Sequence, residues 1–345
     1  MNPFCQVMTA LGRRKQPREE YEYSPRQRMK FFDLITLMNR RSITLKGFLV
    51  LISMIFASIM YAADLSVYHH ENQDPGKFVI LIDNEVFTCY RVGPGQKYPY
   101  FFPVNGPVSQ ISLTTDSGVP YDHHRSLWFG CDKVNGGNYW QEGIETGQII
   151  SQGPVVLQNG PELIHIEDTC DWKQPGEESI IRDTRDIIIS APSDSLRFID
   201  ISITVLALTD IHIEQTNHSL LSVRMKESLS VSNGGSLKNS AGKKGEKETA
   251  GKEAFWCDYT GEHFGILEGI TIFNSPNNIW NPVKWFTRDY GFFSPTNMNF
   301  LPEGLSIKKN DSLTFEYRIV VHSGELNHDK IDELYQTWTK RPKQK

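Results

Sequence analysis

"RFIDISITVLALTD", Arg197–Asp210, is the stretch that decides the fold. In its first part Phe198, Asp200, Ser202 and Thr204 alternate with Ile199, Ile201, Ile203 and Val205. A period of two places four branched aliphatic side chains on one face of an extended chain. Such residues suit a pleated, half-buried surface. Phe198 falls on the otherwise polar face, so that face is expected to be partly covered.

The pattern returns in "SLTFEYRIVVH" (Ser312–His322), and "ELIHIED", "SIIRDTRDIIIS" and "SLLSVRM" are further short strand-like runs. "GKFVILIDNEVFTCYRV" (Gly76–Val92) reads as two strands around Asp83, Asn84 and Glu85. Many short strands joined by turn-rich segments predict a mostly β fold, a large antiparallel β-sandwich with the chemistry carried on loops. Only the tail reads as a helix. Ile331, Leu334, Tyr335 and Trp338 follow i, i+3, i+4, i+7, which gives a short C-terminal helix with one apolar stripe. Between strands, Asn233–Trp256 is rich in glycine, lysine and glutamate without an apolar period, and is expected to be a mobile surface insertion.

The 345 residues carry a formal net charge of -5, and no basic stripe stands out in the folded part, which argues against a nucleic-acid partner. Residues 47–63, "GFLVLISMIFASIMYAA", follow Arg40, Arg41 and Lys46 and end in small residues. They read as the apolar segment of a secretory signal cleaved after Ala63, with a membrane anchor as the alternative. Residues 1–46 are then a basic extension or a mis-assigned start, 64–76 a linker, 77–324 the β domain and 325–345 the helix and tail. The expected location is periplasmic or extracellular. Cys89, Cys131, Cys170 and Cys257 lack metal-cluster spacing, and disulfides and buried thiols both remain open.

The densest chemistry lies in "PYDHHRSLWFGCDKVNGGNYW", Pro120–Trp140, with Glu142 just beyond. Adjacent side chains on a regular strand face opposite ways, so His123 and His124 can serve one site only from a loop or bulge. Either imidazole can act as acid, base or ligand near neutral pH. Arg125 can hold a substrate carboxylate or simply pair with Asp122 or Glu142. Trp128, Tyr139 and Trp140 offer ring faces for the apolar side of a pyranose, and Asn135, Asn138 and Asp122 offer bonds to hydroxyls. The plainer reading makes the tryptophans core residues and has one histidine bond a neighbouring carbonyl.

A second cluster, "NPVKWFTRDYGFFSPTN" (Asn281–Asn297), holds Trp285, Arg288, Asp289 and Tyr290, which either position a substrate or lock a loop. His165, Glu167, Asp168, Asp171, Arg182, Asp183, Arg185 and Asp186 read as solvated faces or turns. His263 and His322, taken singly, read as structural.

The order "DHHRSLWFG", "VNGGNYW", "WFTRDYGFF", "EYRIVVHSG" resembles the PmoA-like family over Lys77–Gly324. That family's name comes from a methane oxygenase, an activity that a strand-rich chain does not support. The resemblance implies a β-supersandwich like that of galactose mutarotases, in which a histidine and a glutamate act as acid and base. It also implies roles for His123, His124 and Arg125, for Asn135 and Trp140, for Arg288 and Tyr290, and for His322. The late motif departs from the family in carrying Phe286 and no histidine beside Trp285.

Together these readings favour an exported carbohydrate-active protein working by general acid–base chemistry. It would be a glycoside hydrolase, a lyase or another sugar-modifying enzyme. A first-motif histidine would move the proton, with Glu142, Glu167 or Asp289 as its partner. Arg125 and Arg288 would neutralise developing charge or hold a uronate. The alternatives are a non-catalytic glycan-binding protein and a site holding a divalent metal on His123, His124, His165 or His322 with Asp122.

Overall fold

The computed structural model describes residues 63–69, 74–118, 120–141 and 143–341. The signal-like segment before Ala63 lies outside the described residues, as does Glu142. Among the described residues no helix is long and apolar enough to cross a membrane.

Two antiparallel sheets pack face to face. The larger runs in the order Leu65–His69, Lys77–Ile82, Glu85–Arg91, Tyr100–Val104, Leu127–Val134, Ser219–Arg224, Phe292–Pro295, Val283–Arg288, Glu253–Ala254. The second runs Val155–Asn159, Ile164–Lys173, Ile181–Ser193, Leu196–Ala207, Ser312–Ser323, Ile266–Asn274, Trp256–His263, Ser236–Asn239. Leu65–His69, within the stretch read as a linker, pairs residue for residue with Phe78–Ile82.

The alternation in Leu196–Ala207 is realised as expected. Ile199, Ile201, Ile203 and Val205 are buried in the core between the sheets. On the opposite face Phe198 joins Trp256, Phe273 and Val320 beneath the helix His328–Thr339, which contributes Ile331 and Tyr335. Asn327 caps that helix by accepting from the Lys330 N–H at 2.8 Å. Asp200 lies opposite Arg318 in the neighbouring strand, and the two form a doubly hydrogen-bonded pair at 2.5 Å.

Two expectations are corrected. Asn233–Trp256 is structured: it holds the strand Ser236–Asn239 and the short helix Gly245–Thr249. Polar bonds replace the missing apolar period. The Asn239 Oδ1 accepts from the Ala241 and Lys243 N–H groups at 3.0 Å each, and the Thr249 hydroxyl meets that of Thr287 at 2.8 Å.

The second correction concerns Asp168, Asp183 and Arg185, which are buried rather than solvated. They sit at inward positions of their strands, where the pattern of two carries them between the sheets. Arg185 donates to Asp183 at 2.8 and 3.1 Å, and the Trp172 Nε1–H donates to the same carboxylate at 2.6 Å. Tyr90 and Ser151 donate to Asp168 at 2.7 and 2.6 Å. Burial pushes the Asp168 carboxyl above its ordinary range despite these bonds. All four described cysteines are buried free thiols.

Candidate functional site

On the face of the large sheet turned away from the second sheet, three adjacent strands align a row of side chains. Trp128 pairs with Ser222 across one strand boundary, and Arg224 pairs with Phe292 across the next. Residues i and i+2 of a strand share a face, so Ser222 and Arg224 point the same way. Gly130 lies between Trp128 and Asp132 on their strand. A Cβ there would come within 2.6 Å of the Tyr139 carbonyl, so glycine is what lets the returning strand Gly137–Tyr139 approach.

The hairpin formed by Asp116–Gly118 and Tyr121–Arg125 supplies the two histidines. It is irregular, with a register shift between its pairs and left-handed backbone at Ser117 and Ser126. The Arg125–Asp116 pair at 3.1 Å ties its strands, and the Tyr98 hydroxyl donates to the His123 carbonyl at 2.6 Å. The His123 and His124 rings meet edge to face at 4.7 Å between centroids. His124 packs on Phe292 (4.9 Å), Tyr121 (5.0 Å) and Trp128 (5.6 Å). His123 stands 5.4 Å from His218. Trp140 lies 5.1 Å from Trp128 and 5.9 Å from His218, while Tyr290 lies 5.3 Å from Tyr121.

His218 is the best-supported imidazole. Its Nδ1 bonds Asp132 at 2.9 Å, and the Thr216 hydroxyl bonds the same carboxylate. A proton on Nδ1 is held by the carboxylate, which leaves Nε2 as the acceptor.

Six side chains of this cluster carry buried polar atoms with no hydrogen-bond partner: His123 Nε2, His124 Nδ1, Trp128 Nε1, Trp140 Nε1, Ser222 Oγ, and Arg224 Nε and Nη1. Buried polar groups are almost always bonded, so several orphans in one place call for a ligand or water. Burial, followed by the neighbouring His123, Arg224 and His218 charges, pushes the His124 pKa down to about 2. His123 is lowered as well, chiefly by burial and then by His218. Burial holds the Tyr290 phenol up at about 12. Both first-motif histidines are therefore neutral near pH 7.

Of the residues singled out from sequence, the structure brings His123, His124, Trp128, Trp140 and Tyr290 together here. Asn135 and Asn138 shape the turns instead. The Asn135 amide bonds the Asp210 carbonyl and the His212 N–H at 2.9 and 2.7 Å. Asn138 accepts from the Trp140 and Gln141 N–H groups at 2.9 Å each, and so sets Trp140 in place. Asp122 is exposed, 3.8 Å from His123.

Arg288 pairs with Glu246 at 3.2 Å, and Asp289 accepts from the Glu246 N–H at 2.8 Å, which locks that loop to the short helix. Trp285 is core, with its indole donating to the Ala254 carbonyl at 3.1 Å. His322 lies in the other sheet, bonded to Asp258 and the Gly324 carbonyl at 3.0 and 3.1 Å. Glu167 is exposed on a strand of that same sheet. His165 pairs with Asp186 and His263 with Glu268.

Sequence reasoning passed over Asp132, His218, Tyr121, Ser222 and Arg224. Two signals were present. Asp132 is in step with Trp128 at i+4 on one strand face, and Ser222 and Arg224 are polar at i, i+2 after the apolar pair Leu220 and Leu221. His218 carried no local mark. Among the described residues no three His, Cys, Asp or Glu side chains form a group able to hold a metal.

No curated protein matches the chain. Among solved structures, galactose 1-epimerase from Lactobacillus acidophilus is similar at 8% identity and a TM-score of 0.39, over 76% of this chain and 100% of that one. Heparan sulfate lyase HepC from Pedobacter heparinus shows 10% identity and a TM-score of 0.39 over 83% of this chain. The match spans 43% of the lyase. A GalM/aldose epimerase homologue from C. elegans gives 9% and 0.31, over 77% of this chain and 100% of that one. At these identities and scores the likenesses say nothing about activity, and the sandwich rests on its own sheets. The comparisons give no support to the PmoA-like assignment suggested by motif order. The profile that matches, over residues 77–336, is that of a family of unknown function, DUF6807, and the chain belongs to that family.

Proposed function

We propose that this cluster is a sugar-binding pocket in which His218, oriented by Asp132, moves a proton on the bound sugar. The observation that carries the reading is the set of unpartnered buried polar groups between aromatic walls. Tyr121, 37% exposed, and the half-buried Tyr290 offer ring faces to the apolar side of a pyranose, while Trp128 and Trp140 are fully buried. The two indole N–H groups, Ser222 and the neutral histidines suit its hydroxyls and ring oxygen. His218 Nε2 would take the proton, and Asp132 would stabilise the imidazolium that results. Among the described residues, the carboxylate buried in the cluster is that of Asp132, already engaged with His218. That suits proton transfer at a sugar carbon or hydroxyl better than hydrolysis by two free carboxylates. Export of the protein is part of this proposal and rests on the segment Gly47–Ala63.

A thermal-shift screen of neutral and acidic mono- and oligosaccharides, with and without divalent metals, tests the binding. Mass spectrometry of the products of any stabilising sugar then tests the chemistry. Asp132→Asn is expected to keep binding and to lose about a hundredfold or more in turnover, the usual worth of positioned acid–base catalysis. Binding without turnover in the unsubstituted protein would make it a glycan-binding protein. A shift from metals alone would replace the sugar reading with a metal site.

A further inference from the structure

Four arginines are buried among the described residues: Arg185, Arg197, Arg224 and Arg318. Three have their N–H groups engaged. Arg185 forks onto Asp183 at 2.8 and 3.1 Å, Arg318 onto Asp200 at 2.5 Å twice, and Arg197 donates to the Ser193 and Leu196 carbonyls at 2.5 and 3.0 Å. Arg224 is as deeply placed, 3% exposed, yet its guanidinium makes no hydrogen bond and no ion pair with a described residue. It lies over the Tyr290 ring, 4.4 Å from Cζ, and a ring face leaves the N–H groups unused.

A buried guanidinium whose N–H groups go unpaired is costly, and a ligand oxyanion would satisfy them. The surroundings point to the sign of that ligand. On the same strand face, two residues away, Ser222 presents a buried unpartnered hydroxyl, and His124 presents its unpartnered Nδ1 to the same cluster. Burial draws the Arg224 guanidinium below its ordinary range, while the nearby Tyr290 and Glu227 pull the other way.

We infer that Arg224, with Ser222 beside it, is the docking point for an oxyanion carried by the ligand, so that the preferred sugar is acidic, bearing a carboxylate or a phosphate. This rests on the sugar-binding reading of the pocket. Arg224 acts here as a specificity determinant and takes no part in the proton transfer.

Titration calorimetry of the full mature chain with glucuronate, galacturonate, glucose 6-phosphate, glucose and galactose tests it. A charge-assisted bond of this kind implies that at least one acidic sugar binds about tenfold to a hundredfold more tightly than its neutral parent. Arg224→Met should abolish that preference, and Arg224→Lys should restore part of it. Uronate preference would identify the carboxylate source, and preference for glucose 6-phosphate the phosphate source. Equal binding of acidic and neutral sugars overturns the oxyanion site and leaves the sugar pocket standing. An acidic preference that survives in Arg224→Met also overturns it. Tight binding of inorganic phosphate with no sugar bound at all overturns both the sugar pocket and the acidic-sugar preference and leaves an anion site alone.

Discussion

His124 should make the folded protein acid-sensitive. It is 4% exposed, and its pKa is pushed from 6.5 to about 2, chiefly by burial. In the unfolded chain the same imidazole takes a proton below about pH 6.5. Below that pH the unfolded state binds the extra proton, so stability is whole above pH 6.5 and falls as pH drops towards the folded value. Each unit of that window costs about 1.4 kcal/mol, so near pH 5 the loss from this one residue is about 2 kcal/mol. For a domain of this size that is a melting point lower by about 3–4 °C. His123 is lowered too and adds loss of the same sign.

The assay is guanidinium denaturation followed by circular dichroism at about pH 7 and about pH 5, on the unsubstituted protein and on His124→Phe. Phenylalanine keeps a ring against Trp128 and Phe292 but cannot be protonated. The variant should lose about 2 kcal/mol less than the parent over that interval. Equal pH dependence in the two proteins would refute the placement of His124 as a neutral, buried imidazole.

Two further outcomes follow, one from the core and one from the proposed export. Asp183→Asn keeps the shape of the side chain but leaves Arg185 buried without its counter-charge. It should cost about 3–5 kcal/mol in the same denaturation, with part recovered when Arg185→Met is added. If the single change costs under about 1 kcal/mol, the pair is solvated after all. Intact-mass analysis of exported protein should find a chain beginning at Asp64, and a mass that retains Gly47–Ala63 would favour the anchor.

Much of the architecture was legible because strand alternation is a local property. "RFIDISITV" showed which side chains would be buried, and the odd Phe198 on its polar face foretold a cover, which the helix carrying Ile331 and Tyr335 provides. Charged residues misled where they obeyed the same alternation. Asp183 and Arg185 look like surface charges because their chemistry is read before their position, yet the period of two carries them inward with Ile181 and Ile187. Asn233–Trp256 looked unstructured because its order comes from capping and side-chain bonds, which leave no hydrophobic period.

By itself, the sequence determined the sandwich, the docked helix and the aromatic, histidine-rich first motif, since each depends on neighbours in the chain. Which of its polar residues meet was decided only in three dimensions. Strand register set Ser222 beside Trp128 and Arg224 beside Phe292. Packing brought His218 to Asp132 across 86 positions, and the same folding left His322 in the other sheet, bonded to Asp258. Spacing along the chain carries no information on contacts of that range, because register and sheet order are properties of the assembled core.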